Sequence, residues 1–207
     1  GHGTKIILTS NAHPNDLYLD GLQRQKFLAS IKIFLENVNI HKLDGKIDYR
    51  TKNIIKFDKH DNNKTISDEE IFKFIVDNFA LDQQKSDQIL INDRKFSCKL
   101  VANNILWIEF SNFFMEATGS IDYTYISNKF DWIFISNFKK NDDYSIDIIR
   151  RFISFIDITY TNRTKIKFFF NDISIESIYT GSKIENLWVR CKSRLSEMRT
   201  QEYLTNN

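Results

Sequence analysis

With 207 residues, 29 Lys and Arg against 27 Asp and Glu, and a formal charge of +2, the chain suits one larger domain or two small ones and carries no basic field pointing to nucleic acid. Hydrophobic residues make up 42%, enough for a core, yet no apolar run approaches the roughly 18–20 residues that span a bilayer. Cys98 and Cys191 are isolated and lack metal spacing, so they read as buried thiols of a reducing compartment rather than a disulfide or a zinc site.

The first element is Ile6-Ile7-Leu8, a short apolar run that reads as a buried strand. It ends in Thr9-Ser10-Asn11, small polar side chains at the carboxyl end of a strand, where open α/β sheets place their ligand chemistry. Pro14 closes the strand–loop, and Gly21-Leu22-Gln23-Arg24 sets Arg24 at the mouth of a helix. An opening without Met that is already in a strand by the sixth residue reads as truncated, and the start has no signal-peptide pattern.

Residues 24–38 carry Phe27, Leu28, Ile31, Phe34, Leu35 and Val38 at helical spacing, the stripe of a helix lying on a core. Asp44-Gly45 signals a turn, and residues 58–66 are polar and patternless, hence an exposed loop. Ser67-Asp68-Glu69-Glu70 is a capping box, opening a helix that buries Ile71, Phe74, Ile75 and Phe79. From Gln88 the period becomes strand-like: Ile89–Ile91, a turn at Asn92-Asp93, Lys95–Val101, a turn at Asn103-Asn104, then Ile105–Phe110. These strands form a small β-meander. Gly119 and Ser120 open a short helix, Trp132–Ile135 is a strand, and Ser145 or Asp147 caps a helix burying Ile148, Ile149, Phe152, Phe155, Ile156 and Thr159. Lys165–Phe170 is a strand, Ile173–Tyr179 a short helix, and Ile184–Leu204 the last helix. Helices and strands alternate throughout, so the class is α/β.

Several blocks stand in a telling order. Thr9-Ser10-Asn11 with Pro14 and Asp16-Leu17-Tyr18 comes first, then Gly21-Leu22-Gln23-Arg24 with Phe27-Leu28, then Leu43-Asp44-Gly45 and Asp48-Tyr49-Arg50. Ile121-Asp122-Tyr123 follows, then Arg150-Arg151-Phe152-Ile153 with Ile156-Asp157, and finally Arg194-Leu195-Ser196-Glu197-Met198 with Glu202-Tyr203-Leu204. Together, over about residues 4–204, they resemble the ZapE/Afg-one-like ATPases, a branch of the AAA+ P-loop proteins.

The resemblance implies the C-terminal part of a P-loop AAA+ core from the sensor-1 strand onward. A helical lid region with an inserted small β-meander would follow. Residues 4–57 would end the core, 58–118 would be an inserted helix plus meander, and 119–204 a lid-like and C-terminal region. The chain departs from the family in having no G-x-x-x-x-G-K-[ST] and no strand ending in paired acids for Mg²⁺. In the family both lie upstream of where this chain starts. His13 replaces another residue, and the family's Leu-Gly before its later Asp-Tyr is Thr118-Gly119.

By the same resemblance Asn11 holds the sensor-1 position, where a neutral amide donates to phosphate and accepts from water. Its bland alternative is a strand end that caps the following turn. Arg24 is the arginine-finger candidate, acting in trans on a neighbour's nucleotide, whereas the alternative is a surface arginine at a helix N-terminus. That alternative conflicts with the macrodipole. Arg150 and Arg151 stand where a lid arginine belongs, pointing about 100° apart; a solvated helix edge is the other reading. Arg50 either meets a subunit interface or pairs with Asp48.

The intact family protein uses ATP and Mg²⁺, and neither is expected to bind tightly to these residues alone. The resemblance further implies a homo-oligomeric ring, a division-site or membrane-associated protein partner and a cytoplasmic, bacterial setting. A non-catalytic interaction module is the second reading. A nucleic-acid-binding lid is disfavoured by dispersed, balanced charge.

Overall fold

The computed structural model of the chain describes residues 8, 13–16, 24–41, 53–54, 65–79, 81 and 86–205. The chain divides into two compact units, Gly1–Gly45 and Lys46–Asn207.

In the first unit the described elements are a single 3-10 turn, Pro14–Asp16, and helix α1, Arg24–Asn37. Pro14 suits the first position of such a turn because its ring presets φ and it has no N–H to leave unpaired. The helix foreseen from Arg24 is present, but its apolar stripe is largely uncovered. Ile31 is buried, whereas Phe27 is 40%, Leu28 44% and Phe34 36% exposed. Of the strand read at Ile6–Leu8, Leu8 is the one described residue; it is exposed and in no strand. Asn11 and the Leu43–Gly45 and Asp48–Arg50 blocks lie outside the described residues.

In the second unit helix α2 spans Asp68–Asn78, and its capping box forms as the sequence predicts. Ser67 Oγ accepts the Glu70 N–H at 3.3 Å, and Glu70 Oε2 accepts the Ser67 N–H at 2.9 Å. Five strands follow in one sheet, in sequential order: β1 Ser86–Ile91, β2 Arg94–Ala102, β3 Ile105–Glu109, β4 Trp132–Ser136 and β5 Lys165–Phe168. The first three pair antiparallel and the last three parallel. The hairpin turns fall where Asn and Asp cluster. Asn92 (φ 48°), Asp93 (φ 62°) and Asn103 (φ 50°) adopt the left-handed backbone that these residues tolerate.

Parallel pairing needs crossovers. Helices α3, Phe110–Met115, and α4, Ser120–Lys129, connect β3 to β4, and α5, Ile146–Thr161, connects β4 to β5. Helices α6 (Ile175–Ile178), α7 (Glu185–Met198) and α8 (Gln201–Thr205) complete the chain. Strand β4 is buried at every position, as a continuous apolar run is when both faces of a sheet are covered. Phe79, at the end of α2, meets Trp132 and Phe134 edge-on at 5.9 and 5.5 Å. On the crossovers, Phe114 of α3 lies edge-on to Phe152 and Phe155 of α5 at 5.3 and 5.4 Å.

The class is therefore mixed α/β, with helices around a five-stranded sheet. Residues read as an inserted meander and residues read as a lid region build that one sheet together. Strand β3 joins them, pairing with β2 on one side and β4 on the other. Several element ends differ from expectation: the strand read as Lys165–Phe170 ends at Phe168, the short helix read as Ile173–Tyr179 spans Ile175–Ile178, and two further differences have a visible cause. The strand read through Phe110 stops at Glu109, because Phe110, Phe113 and Phe114 are buried at helical spacing on α3. The last helix, read as 184–204, breaks after Met198. There the Thr200 hydroxyl accepts the Tyr203 N–H at 3.2 Å and starts α8 afresh.

Candidate functional site

Arg24 is the first residue of α1 and half-buried. Its Nη2 donates to the backbone carbonyl of Asn15 at 3.1 Å, within the Pro14–Asp16 turn. The Asn15 N–H in turn donates to His13 Nδ1 at 3.2 Å. Arg24 Nε is shielded from solvent and has no acceptor among the described residues. An unpaired, desolvated N–H costs about 1–3 kcal/mol, and a cation at a helix N-terminus opposes the macrodipole. An oxyanion would relieve both, so Arg24 suits a phosphoryl group. These 207 residues contain no lysine-bearing glycine loop to cradle one.

Arg150 and Arg151 lie on α5, in the second unit. Arg150 is exposed. Arg151 is half-buried, and its Nη1 donates to the carbonyls of Phe114 and Met115 at 3.1 and 3.4 Å. Those are terminal carbonyls of α3, left without intrahelical partners and at the negative end of its dipole, so the guanidinium caps the helix. Arg94 treats the next stretch alike, donating to the Ala117 carbonyl at 2.8 Å. Two arginines thus hold the elbow between α3 and α4.

Arg94 also forms an ion pair with Asp122 at 2.6 Å, and Asp122 is almost fully buried. Burial opposes its charge, but the Arg94 guanidinium, the Gly119 N–H and the Asn92 amide outweigh that and hold the carboxyl below the usual carboxylate range. Beside it, burial pushes the Tyr123 phenol up to about 12, although its hydroxyl shares a 2.8 Å hydrogen bond with Thr118. The Ile121-Asp122-Tyr123 block is therefore an anchor for the β1–β2 turn.

The later blocks meet one another. Asp157 of α5 pairs with Arg190 at 2.7 Å and with Arg194, both on α7. Tyr160 donates to Glu197 Oε2 at 2.7 Å and stacks on Tyr203, with ring centroids 5.8 Å apart. The sequence singles out Asp157, Arg194, Glu197 and Tyr203 as parts of a pattern, and the fold brings them together as a clamp between α5, α7 and α8. Arg94 and Arg190 carry no local signal: Arg94 lies 28 residues from its carboxylate and Arg190 lies 33.

A second clamp escapes the sequence as well. Asp143 accepts the Tyr179 hydroxyl and the backbone N–H groups of Ser182 and Lys183, at 3.2 and 3.1 Å. The Tyr179 hydrogen bond first, then those N–H groups, hold its carboxyl low. Both cysteines have thiols raised by burial, Cys98 to about 12. Among the described residues no group of three or more His, Cys, Asp or Glu side chains could hold a metal, and no helix is long and apolar enough to cross a membrane.

The AFG1-like ATPase family model matches residues 1–207. The chain is 27% identical to the cell division protein ZapE of Escherichia coli K12, over 98% of this chain and 54% of that protein. An uncharacterised Schizosaccharomyces pombe protein is 26% identical over 98% of this chain and 51% of its own length. Lactation elevated protein 1 homolog B of Danio rerio is 26% identical over 79% and 33%. The chain thus spans about half the length of the two relatives it matches throughout. No solved structure matches it. With the matched residues running from Gly1 to Asn207, the chain belongs to the AFG1-like ATPase family.

Proposed function

We propose that these residues serve ATP hydrolysis in an AAA+ assembly, with Asn11 positioning water, Arg24 acting on a neighbouring subunit and Arg150 or Arg151 contacting nucleotide. The observation that carries this reading is the family match across all 207 residues. ATP with Mg²⁺ would supply the reacting phosphoryl group and the counter-charge on its oxygens. Asn11 offers a neutral amide that both donates and accepts. Arg24 offers a guanidinium whose Nε–H has no acceptor among the described residues, suited to the charge that spreads over phosphoryl oxygens as the bond breaks. A division-associated partner belongs to the same proposal and rests on the name of the E. coli relative.

The 207 residues alone lack a phosphate loop, so by themselves they neither bind ATP tightly nor turn it over. Phosphate release by the purified chain with ATP and Mg²⁺ tests this, and measurable turnover would sink it. In an assembled ATPase carrying these residues, Arg24→Ala should lower kcat by about 10³-fold or more. Unchanged kcat would remove Arg24 from the reaction.

A further inference from the structure

We propose that Arg24 is parked in cis on the turn that follows Asn11, and that it must leave the Asn15 carbonyl to serve a phosphoryl group held by a neighbouring subunit. This rests on the trans-acting role proposed above and adds a resting state to it. Among the described residues the guanidinium has one hydrogen bond, 3.1 Å to a neutral carbonyl. Its Nε is buried without an acceptor among the described residues, and it sits at the helix end that repels a cation. Among the described residues, a side chain so placed is held by one bond while two demands go unmet. A phosphoryl group accepts from a guanidinium fork at two points and carries the missing negative charge. It therefore supplies the differential affinity that any ligand-driven shift requires.

Parking also couples two parts of one chain. The Asn15 carbonyl belongs to the Pro14–Asp16 turn, three residues along from Asn11, and the ring of Pro14 sets the backbone that aims it. While Arg24 is parked, the turn is tied to the first residue of α1. When a neighbour takes the guanidinium, that tie is released.

The test reads the Arg24 Nε–H of the 207-residue chain by 15N-edited NMR, without nucleotide or partner. Its solvent exchange should be at least about tenfold slower than that of the exposed Arg150 Nε–H. Pro14→Gly, which loosens the turn, should bring the two rates together. Equal rates in the unsubstituted chain, or slow Arg24 exchange that survives Pro14→Gly, would overturn the parked state. Neither result bears on the trans-acting role, which the kcat of Arg24→Ala decides separately.

Discussion

Arg150 and Arg151 are neighbours with different work. Arg151 closes the open end of α3 through the Phe114 and Met115 carbonyls, whereas Arg150 faces water. Removing Arg151 strands two carbonyls at a partly buried helix end, a loss of about 1–3 kcal/mol. Arg150→Ala should fall within about 0.5 kcal/mol of the parent. Urea denaturation of the two variants separates them, and equal losses would show that the Arg151 clasp carries no stability. Asp122 yields a pH dependence of definite sign. Its folded carboxyl titrates below its unfolded value, about 3.9. The stabilisation is therefore fully present above pH 4 and lost as pH falls through the lower, folded value. Asp122→Asn removes the charge that Arg94 compensates. Its stability curve should be flatter than the parent's below pH 4, and parallel curves would count against the pair.

At the level of elements, the capping box shows what local chemistry can specify. Ser67 and Glu70 satisfy each other's backbone donors within four residues, so sequence alone places the start of α2. Ser67→Ala should cost about 1 kcal/mol, readable as a fall in midpoint without a change in slope on urea unfolding. The hairpins were legible for the same reason, their Asn and Asp residues marking left-handed turns. What lay hidden depends on distant partners. Nothing near Glu109 announces that β3 pairs with β4 rather than ending a separate meander. Nothing near Asp143 announces the loop it holds 36 to 40 residues later. Gly181 belongs to that loop, and its role is spatial. A Cβ there would lie 2.5 Å from the Tyr179 hydroxyl and closer still to the Asp143 carboxylate. The candidate site was legible as a pattern of blocks. The fold divides that pattern into Arg24, with a donor unmet among the described residues, and Asp122, Asp157 and Arg194, whose charges are matched within the second unit.

Across the whole molecule, apolar burial is distributed unevenly. The second unit encloses β3, β4 and the inner face of α5, with Phe114, Phe134, Phe152 and Phe155 withdrawn from water. In the first unit α1 buries Ile31 alone. A helix of 14 residues draws little stability from its own hydrogen bonds, since isolated helices shorter than about 12–15 residues are marginal in water. Tertiary packing has to supply the rest, and for α1 the described residues supply little. Native-state hydrogen exchange should therefore divide the chain. Amides of β3, β4 and α5 should exchange only through global unfolding, and those of α1 through local opening at much lower free energy. Equal protection along α1 and β4 would mean that α1 is packed as firmly as the sheet. The division suits the chemistry proposed, because Arg24 opens the weakly held helix and a side chain that must leave one partner for another is best carried on an element that opens cheaply. A burial surface laid over Leu28 and Phe34 by a neighbouring subunit would raise α1 protection without changing that of β4. Exchange measured before and after assembly would read this directly, and α1 protection unmoved by assembly would mean that no neighbour covers that stripe.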